Sequence, residues 1–268
     1  MLCNASSSPI ASRPSATKRI ERLVLDFTNF EWISFDCYGT LIDWESGILG
    51  YLRPLFERNG RNLSDAEILN LYSEFEPREQ SGKYRSYREV LASVVRDFAR
   101  ELRFEATEAE TNGLSGSICK WHPFADTVPA LRCLHSRCKL AIVSNIDDDL
   151  FAYSAQQLTV PLQCVVTAQQ AQSYKPSAKN FELLLEKIAV PRSRLLHVAE
   201  SLYHDVGPAN LLGITSVWVN RRQGKEAAAS RLAAAKPDLE VPDLDSLVEL
   251  VAQSGLPLKP NFDRGDRM

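Results

Sequence analysis

Three apolar runs in this chain end on groups that can do chemistry, and a lysine stands ready between the second and the third. Trp32-Ile33-Ser34-Phe35 leads into Asp36, with Tyr38, Gly39 and Thr40 behind it. Lys139 to Val143 leads into Ser144 and Asn145. Lys175 precedes Pro176 at the head of a helical pattern. Arg194 to Ala199 leads into Glu200 and then Asp205. A carboxylate at a strand exit can attack an electrophile and form a covalent ester that water later cleaves. A lysine beside it keeps it ionised and offsets developing charge, while the Ser144 hydroxyl and nearby N–H groups supply donors. Asp36, Glu200 and Asp205 together form a set of carboxylates suited to Mg2+. Singly, each group has a plain structural reading: a turn aspartate, a helix cap, a loop lysine, first-turn acids beside a helix dipole. Their order along the chain, each at the same kind of position, is what points to one crevice.

These groups need a scaffold, and the pattern describes one. The run into Asp36 suits a buried strand, and Gly39 lets the backbone turn sharply after it. Apolar residues at helical spacing follow in Gly47 to Arg58, Ala66 to Phe75 behind a Ser64 cap, Tyr84 to Leu102 and Thr107 to Cys119. Trp121-His122-Pro123-Phe124 breaks that pattern. From there helix and strand alternate: helix Thr127 to Ser136, strand Lys139 to Ser144, helix Asp148 to Gln157, strand Cys164 to Thr167, helix Ser177 to Ile188, strand Arg194 to Ala199, helix Asp205 to Leu212 ending at Gly213, strand Thr215 to Asn220, helix Asp243 to Ala252. Such alternation implies an α/β fold with a mostly parallel sheet and helices on both faces. The division expected is a tail over residues 1–20, a core from 21–44 and 121–256, a helical insert over 45–120 and a second tail over 257–268.

Bulk properties narrow the function classes. The chain has 268 residues, 44% hydrophobic and 24% charged, as in ordinary globular proteins. A net charge of -3 without a long basic run argues against a general nucleic-acid binder. No apolar run approaches the ~18 residues of a membrane span. Six scattered cysteines in a chain of this length fit a reduced, cytoplasmic protein better than a disulfide framework. Cys133, His135 and Cys138 do not match the spacing of zinc ligand pairs. Residues Met1 to Arg19 are rich in Ser, Ala and Pro and lack acids, a composition of disordered tails and also of organelle transit peptides.

Together these motifs resemble those of the haloacid dehalogenase-like hydrolase superfamily, over about Phe35 to Asp245. Phe35 to Asp43 is similar to its first motif, with Asp36 as nucleophile, Ser144-Asn145 to the second, Tyr174-Lys175-Pro176 to the third and Glu200 through Asp205 to the fourth. The resemblance implies a Rossmann-like parallel core with a helical cap inserted after the first strand, a small-molecule substrate and, from the cap helices, a homodimer. Within the superfamily, Tyr38 and the segment Pro237 to Glu240 most resemble the type II 2-haloacid dehalogenase branch.

That branch implies metal-free displacement of halide by Asp36. Its cap arginine has no match in Leu69 to Glu74, Glu200 and Leu202 stand where it carries serine and asparagine, and Phe181 replaces a tyrosine. Arg78, Arg85 and Arg88 are the nearby substitutes. The phosphatase branches imply an acid pair for Mg2+, which Glu200 and Asp205 supply, and a second aspartate where Tyr38 stands, with His204 as another candidate acid. The charge balance favours Mg2+-dependent phosphate-ester hydrolysis, because three acids repel one another unless a cation sits among them. Halide hydrolysis is the alternative, and a fold that binds without turnover is the third reading.

Overall fold

A computed structural model describes residues 25–222 and 235–259 of the chain. The tail and transit-peptide expectations for residues 1–20 therefore lie outside the described residues. Six strands form one sheet: β1 (Trp32–Phe35), β2 (Lys139–Ser144), β3 (Cys164–Thr167), β4 (Leu195–Ala199), β5 (Thr215–Val219) and β6 (Leu239–Val241). Their spatial order is β3-β2-β1-β4-β5-β6, and every pairing is parallel. The sheet grows outward in one direction from β1 and in the other from β4. The crevice between them is the topological switch point at which ligands gather in such folds. β6 was not expected from sequence. With three residues it is too short to show a period, and it exists because Val217 to Val219 offer it a free edge.

Helices cover both faces, as the alternation requires. α5 (Thr127–His135), α6 (Asp148–Leu158) and α10 (Leu244–Gln253) lie on one side. There Leu131, Leu134, Leu150 and Leu247 pack with Ile33, Phe35, Leu140 and Ile142. α8 (Lys179–Ile188) and α9 (Gly207–Leu212), with the single turn α7 (Ala168–Ala171) before them, belong to the other side. Phe181, Leu184 and Ala209 join Ala141 and Val143 on the second face. Leu140 and Ile142 thus face one layer and Ala141 and Val143 the other, the period of two that strand geometry imposes.

Between β1 and α5 the chain makes α1 (Trp44–Arg58), α2 (Asp65–Gln80), α3 (Tyr87–Glu101) and α4 (Glu108–Ser117). Three of their starts are capping boxes, in which Ser64, Ser86 and Thr107 each exchange bonds with an acid three residues on. α2 runs five residues past the Phe75 expected from its pattern, and the extra turn carries Glu76 to a buried position. Phe98 packs on Phe56 and Phe75 with ring centroids 5.1 and 5.0 Å apart. Tyr72 and Phe75 are buried among these helices, and the Tyr51 hydroxyl donates to the Glu110 carbonyl. Gly47 has a packing reason: a Cβ there would meet the Trp121 indole at 2.4 Å.

The helical layer is fastened to the sheet end by Asp147, just beyond β2. Its carboxylate accepts from the backbone N–H of Tyr87 and Arg88, each at 2.9 Å. These are the first two amides of α3, which have no partner within the helix and carry its positive dipole end. No described helix is long and apolar enough to cross a membrane.

Candidate active site

The turn after β1 sets Asp36 where two more segments meet. The Asp36 N–H still bonds Val198 of β4, so the residue leaves the sheet at its carboxyl end. Gly39, at φ +96°, makes the reversal that returns Thr40 toward it. The Thr40 hydroxyl donates to Asp36 Oδ2 at 2.9 Å and accepts from the Glu200 N–H at 2.9 Å, tying the first motif to the fourth. Arg221 holds the outside of this turn: its guanidinium donates twice to the Thr40 carbonyl, pairs with Asp126 and lies 4.0 Å over the Phe124 ring.

Lys175 lies at the centre. Its ammonium donates to Asp36 Oδ1 at 2.8 Å, to Asp205 Oδ1 at 2.6 Å and to the Val143 carbonyl at 2.8 Å. All three of its protons are used. Behind it, His197 of β4 places Nε2 3.1 Å from Asp205 Oδ1 and Nδ1 2.8 Å from Ser34 Oγ of β1. Asp36, Lys175, Asp205 and His197 are all buried. Burial pushes the Asp36 carboxyl above its ordinary range, against the pull of Lys175. Burial acts the same way on Asp205, but Lys175 and His197 together hold it below the ordinary range. The two acids raise Lys175 despite its burial, so it stays an ammonium.

The sequence placed Asp36, Thr40, Ser144, Asn145, Lys175, Glu200 and Asp205 in one crevice, and the fold brings all of them there. Asp36, Tyr38, Ser144, Asn145, Lys175, Glu200 and Asp205 line a common cavity of about 50 Å3. Ser144 Oγ is fully buried and has no hydrogen-bond partner. Asn145 does not face outward as an independent donor, because both its amide atoms bind the backbone of Lys175. The Tyr38 ring reaches the cavity, but its hydroxyl bonds Ser154 of α6 at 2.8 Å, and burial drives its pKa well up. That geometry does not suit the proton donor of the phosphatase reading. His204 also lines the cavity rather than an open helix surface.

The magnesium expectation needs correction. A cation site requires oxygen donors that converge with room for water. Here the ammonium of Lys175 already lies between Asp36 and Asp205, and Glu200 Oε1 pairs with Arg222 at 3.1 Å. Asp205 Oδ2 is left buried without a donor, which is one open oxygen and not a set. Among the described residues no three acidic, histidine or cysteine side chains converge on a point. Asp36, Glu200 and Asp205 thus do not fit Mg2+ in this arrangement. Charge repulsion among acids was the right premise, but the relief comes from internal cations.

Sequence reasoning missed several groups. His197 was passed over within an apolar strand, although a lone imidazole there, eight residues before an acid, was the available signal. Glu76 and Tyr87 reach the cavity from α2 and α3, and no local pattern marks them. Arg222 lies beyond β5, with Glu45 as its second partner. Arg78, Arg85 and Arg88, named as substitutes for a cap arginine, pair instead with Asp97, Glu79 and Asp149, and none of them lines the cavity.

Comparison with known proteins matches this picture. Haloacetate dehalogenase H-2 of Moraxella sp. (strain B) is 26% identical over 228 residues, covering 83% of this chain and 98% of that protein. The (S)-2-haloacid dehalogenase of Pseudomonas sp. (strain YL) is 26% identical over 221 residues, covering 81% and 93%. The fold matches the L-2-haloacid dehalogenase from Xanthobacter autotrophicus with a TM-score of 0.72 at 21% identity, covering 83% and 98%. It also matches a putative HAD-hydrolase from Bacillus subtilis bound to magnesium, with a TM-score of 0.68 at 18% identity, covering 83% and 99%. The sequence profile of the haloacid dehalogenase-like hydrolases spans residues 30–213, from the approach to β1 to the end of α9, and takes in Asp36, Ser144, Lys175 and Asp205. With those residues gathered at the switch point of a parallel sheet, the chain belongs to the haloacid dehalogenase-like hydrolases.

Proposed function

We propose that the protein hydrolyses a carbon–halogen bond through a covalent ester on Asp36, without a metal ion. The observation that carries this reading is the position of Lys175, which occupies with its own charge the space between Asp36 and Asp205. The names of the relatives support the same branch. In the first step a carboxylate oxygen of Asp36 forms a bond to carbon, and the halide leaves with the electron pair of the broken bond. In the second, water attacks the ester carbonyl, the acyl C–O bond breaks, and the alcohol departs while Asp36 is restored. The sum is R–X plus water giving R–OH, a proton and halide. Lys175 keeps Asp36 anionic for the first step and stabilises the oxyanion of the second. Thr40 fixes the other oxygen of the nucleophile. The helices α1 to α4 act as a cap, since Glu76 and Tyr87 bound the same cavity.

Halide release from a panel of small chlorinated and brominated compounds, with and without EDTA, tests this. Release that EDTA does not change, with 18O from labelled water entering Asp36 in a single turnover, is the expected result. Phosphate release from p-nitrophenyl phosphate that EDTA abolishes, with no halide release, would overturn it.

A further inference from the structure

The cavity at Asp36 measures about 50 Å3, whereas ligand pockets generally run to roughly 300–1,000 Å3. A second cavity, about 430 Å3, adjoins it, and the two share Trp44 and Glu200 as a wall. Gly39, three residues after the nucleophile, also lines the larger space. A Cβ there would meet Trp44 Nε1 at 3.1 Å and Glu200 Oε2 at 3.6 Å. The missing side chain therefore leaves a gap between the two wall residues, on the way to Asp36.

The charged groups of the larger cavity already have partners within the protein. Glu45 and Glu200 pair with Arg222, Asp65 with Arg53, and Arg221 with Asp126. Asp43 accepts from the Ser46 N–H at the start of α1. What remains for a ligand to cover is apolar. Trp44 and Leu49 come from α1, Ala66 and Leu69 from α2, and Phe124 from the segment before α5. Leu69 is buried, Trp44, Leu49 and Phe124 are half-buried, and Ala66 is exposed. Such a wall gains free energy when an apolar group displaces water from it, in proportion to the area covered.

We propose that the substrate carries, on its reacting carbon, an apolar arm of about four or more carbons that fills the larger cavity. The arm lies against Trp44, Leu49, Leu69 and Phe124, and the carbon–halogen end reaches Asp36 past Gly39. This rests on the carbon–halogen reading above. Halide release by the full chain from 2-bromopropionate, 2-bromobutanoate and 2-bromohexanoate tests it. The three probes share one reacting centre and one charge and differ only in the length of the arm. Release by Asp36→Asn protein is subtracted to leave the enzymatic rate. The expected kcat/KM rises roughly threefold with each methylene, and at least about tenfold from the propionate to the hexanoate. A value for the hexanoate equal to or below that for the propionate would overturn the inference and leave the carbon–halogen reading standing. Absence of Asp36-dependent halide release from all three would overturn that reading and the inference with it. Ala66→Trp provides a second measurement, because it fills the larger cavity from an exposed position on α2. It should lower the hexanoate-to-propionate ratio of kcat/KM by at least about fivefold, with folding checked by thermal unfolding. An unchanged ratio in the folded variant would place the arm elsewhere and overturn the inference.

Discussion

Asn145 grips the backbone of Lys175 with both ends of its amide, accepting from the Lys175 N–H at 2.7 Å and donating to the Lys175 carbonyl at 3.1 Å. The residues are thirty positions apart in the chain. The pair joins the exit of β2 to the loop before α8, and so decides where the ammonium ends. Asn145 is therefore a positioning residue that acts through Lys175. Asn145→Ala should lower kcat by about tenfold to a hundredfold with a smaller change in KM. Asn145→Asp, which keeps the acceptor for the Lys175 N–H, should retain more activity than alanine. Equal losses in both variants would argue against the clamp.

Asp36 is the proposed nucleophile, and its isosteric amide isolates that role. Asp36→Asn should abolish turnover while keeping the fold, since its amide oxygen can still accept from Lys175, whose charge Asp205 still balances, and its NH2 can donate to the Thr40 hydroxyl. Mass spectrometry after incubation with a bromoalkyl probe should show an adduct on the parent peptide and none on the variant. Adduct formation on the variant would mean that another side chain attacks.

Lys175 balances two buried acids, so its loss is a stability matter as well as a catalytic one. Lys175→Met should destabilise by about 3–5 kcal/mol, because it leaves the buried Asp36 and Asp205 without the lysine cation they share. Adding Asp205→Asn should recover part of that loss, since one uncompensated charge is removed. Chemical denaturation of the single and double variants measures the coupling. Additive effects would show that the two side chains do not share one charge.

Burial raises the Glu200 carboxyl to about 7, with Arg222 pulling the other way. The ordinary value is 4.5. Between those two values the folded state holds a proton that the unfolded chain releases, so stability falls as pH rises through this window. The total amounts to roughly 3 kcal/mol from this one group. Glu200→Gln should flatten the decline between about pH 4.5 and 7 in denaturation curves. A slope equal to that of the parent would assign the pH dependence to other groups.

Much of this protein was legible in the sequence. β2 and β3 begin and end where the apolar runs do, and the Ser64 cap starts α2 on local hydrogen bonds as its position implies, whereas α3 begins at Tyr87 behind Ser86 and not at the expected Tyr84. That these residues gather at one end of the sheet was also readable, because strand exits in a parallel α/β sheet face one way and the residues there are polar against apolar neighbours. Asp205 was placed less well. A regular helix was expected to begin at it, but a π-type turn over Leu202–Val206 carries it instead, with Val206 N–H bonding back to the Ser201 carbonyl.

What the tertiary structure alone decided is which partner each charged group takes. Lys175 meets Asp36 across 139 residues and Asp205 across 30, and that geometry replaces the three-carboxylate metal set with an internal ion triad. Glu76 lines the same cavity as the nucleophile only because α2 continues past Phe75. The physical reason is one of range. Periodicity and capping act within a turn or two of helix or strand, so the chain carries them in its order. The distance between two charges far apart in the chain is set by how whole layers pack, and a shift of a few ångströms there changes which cation neutralises which acid.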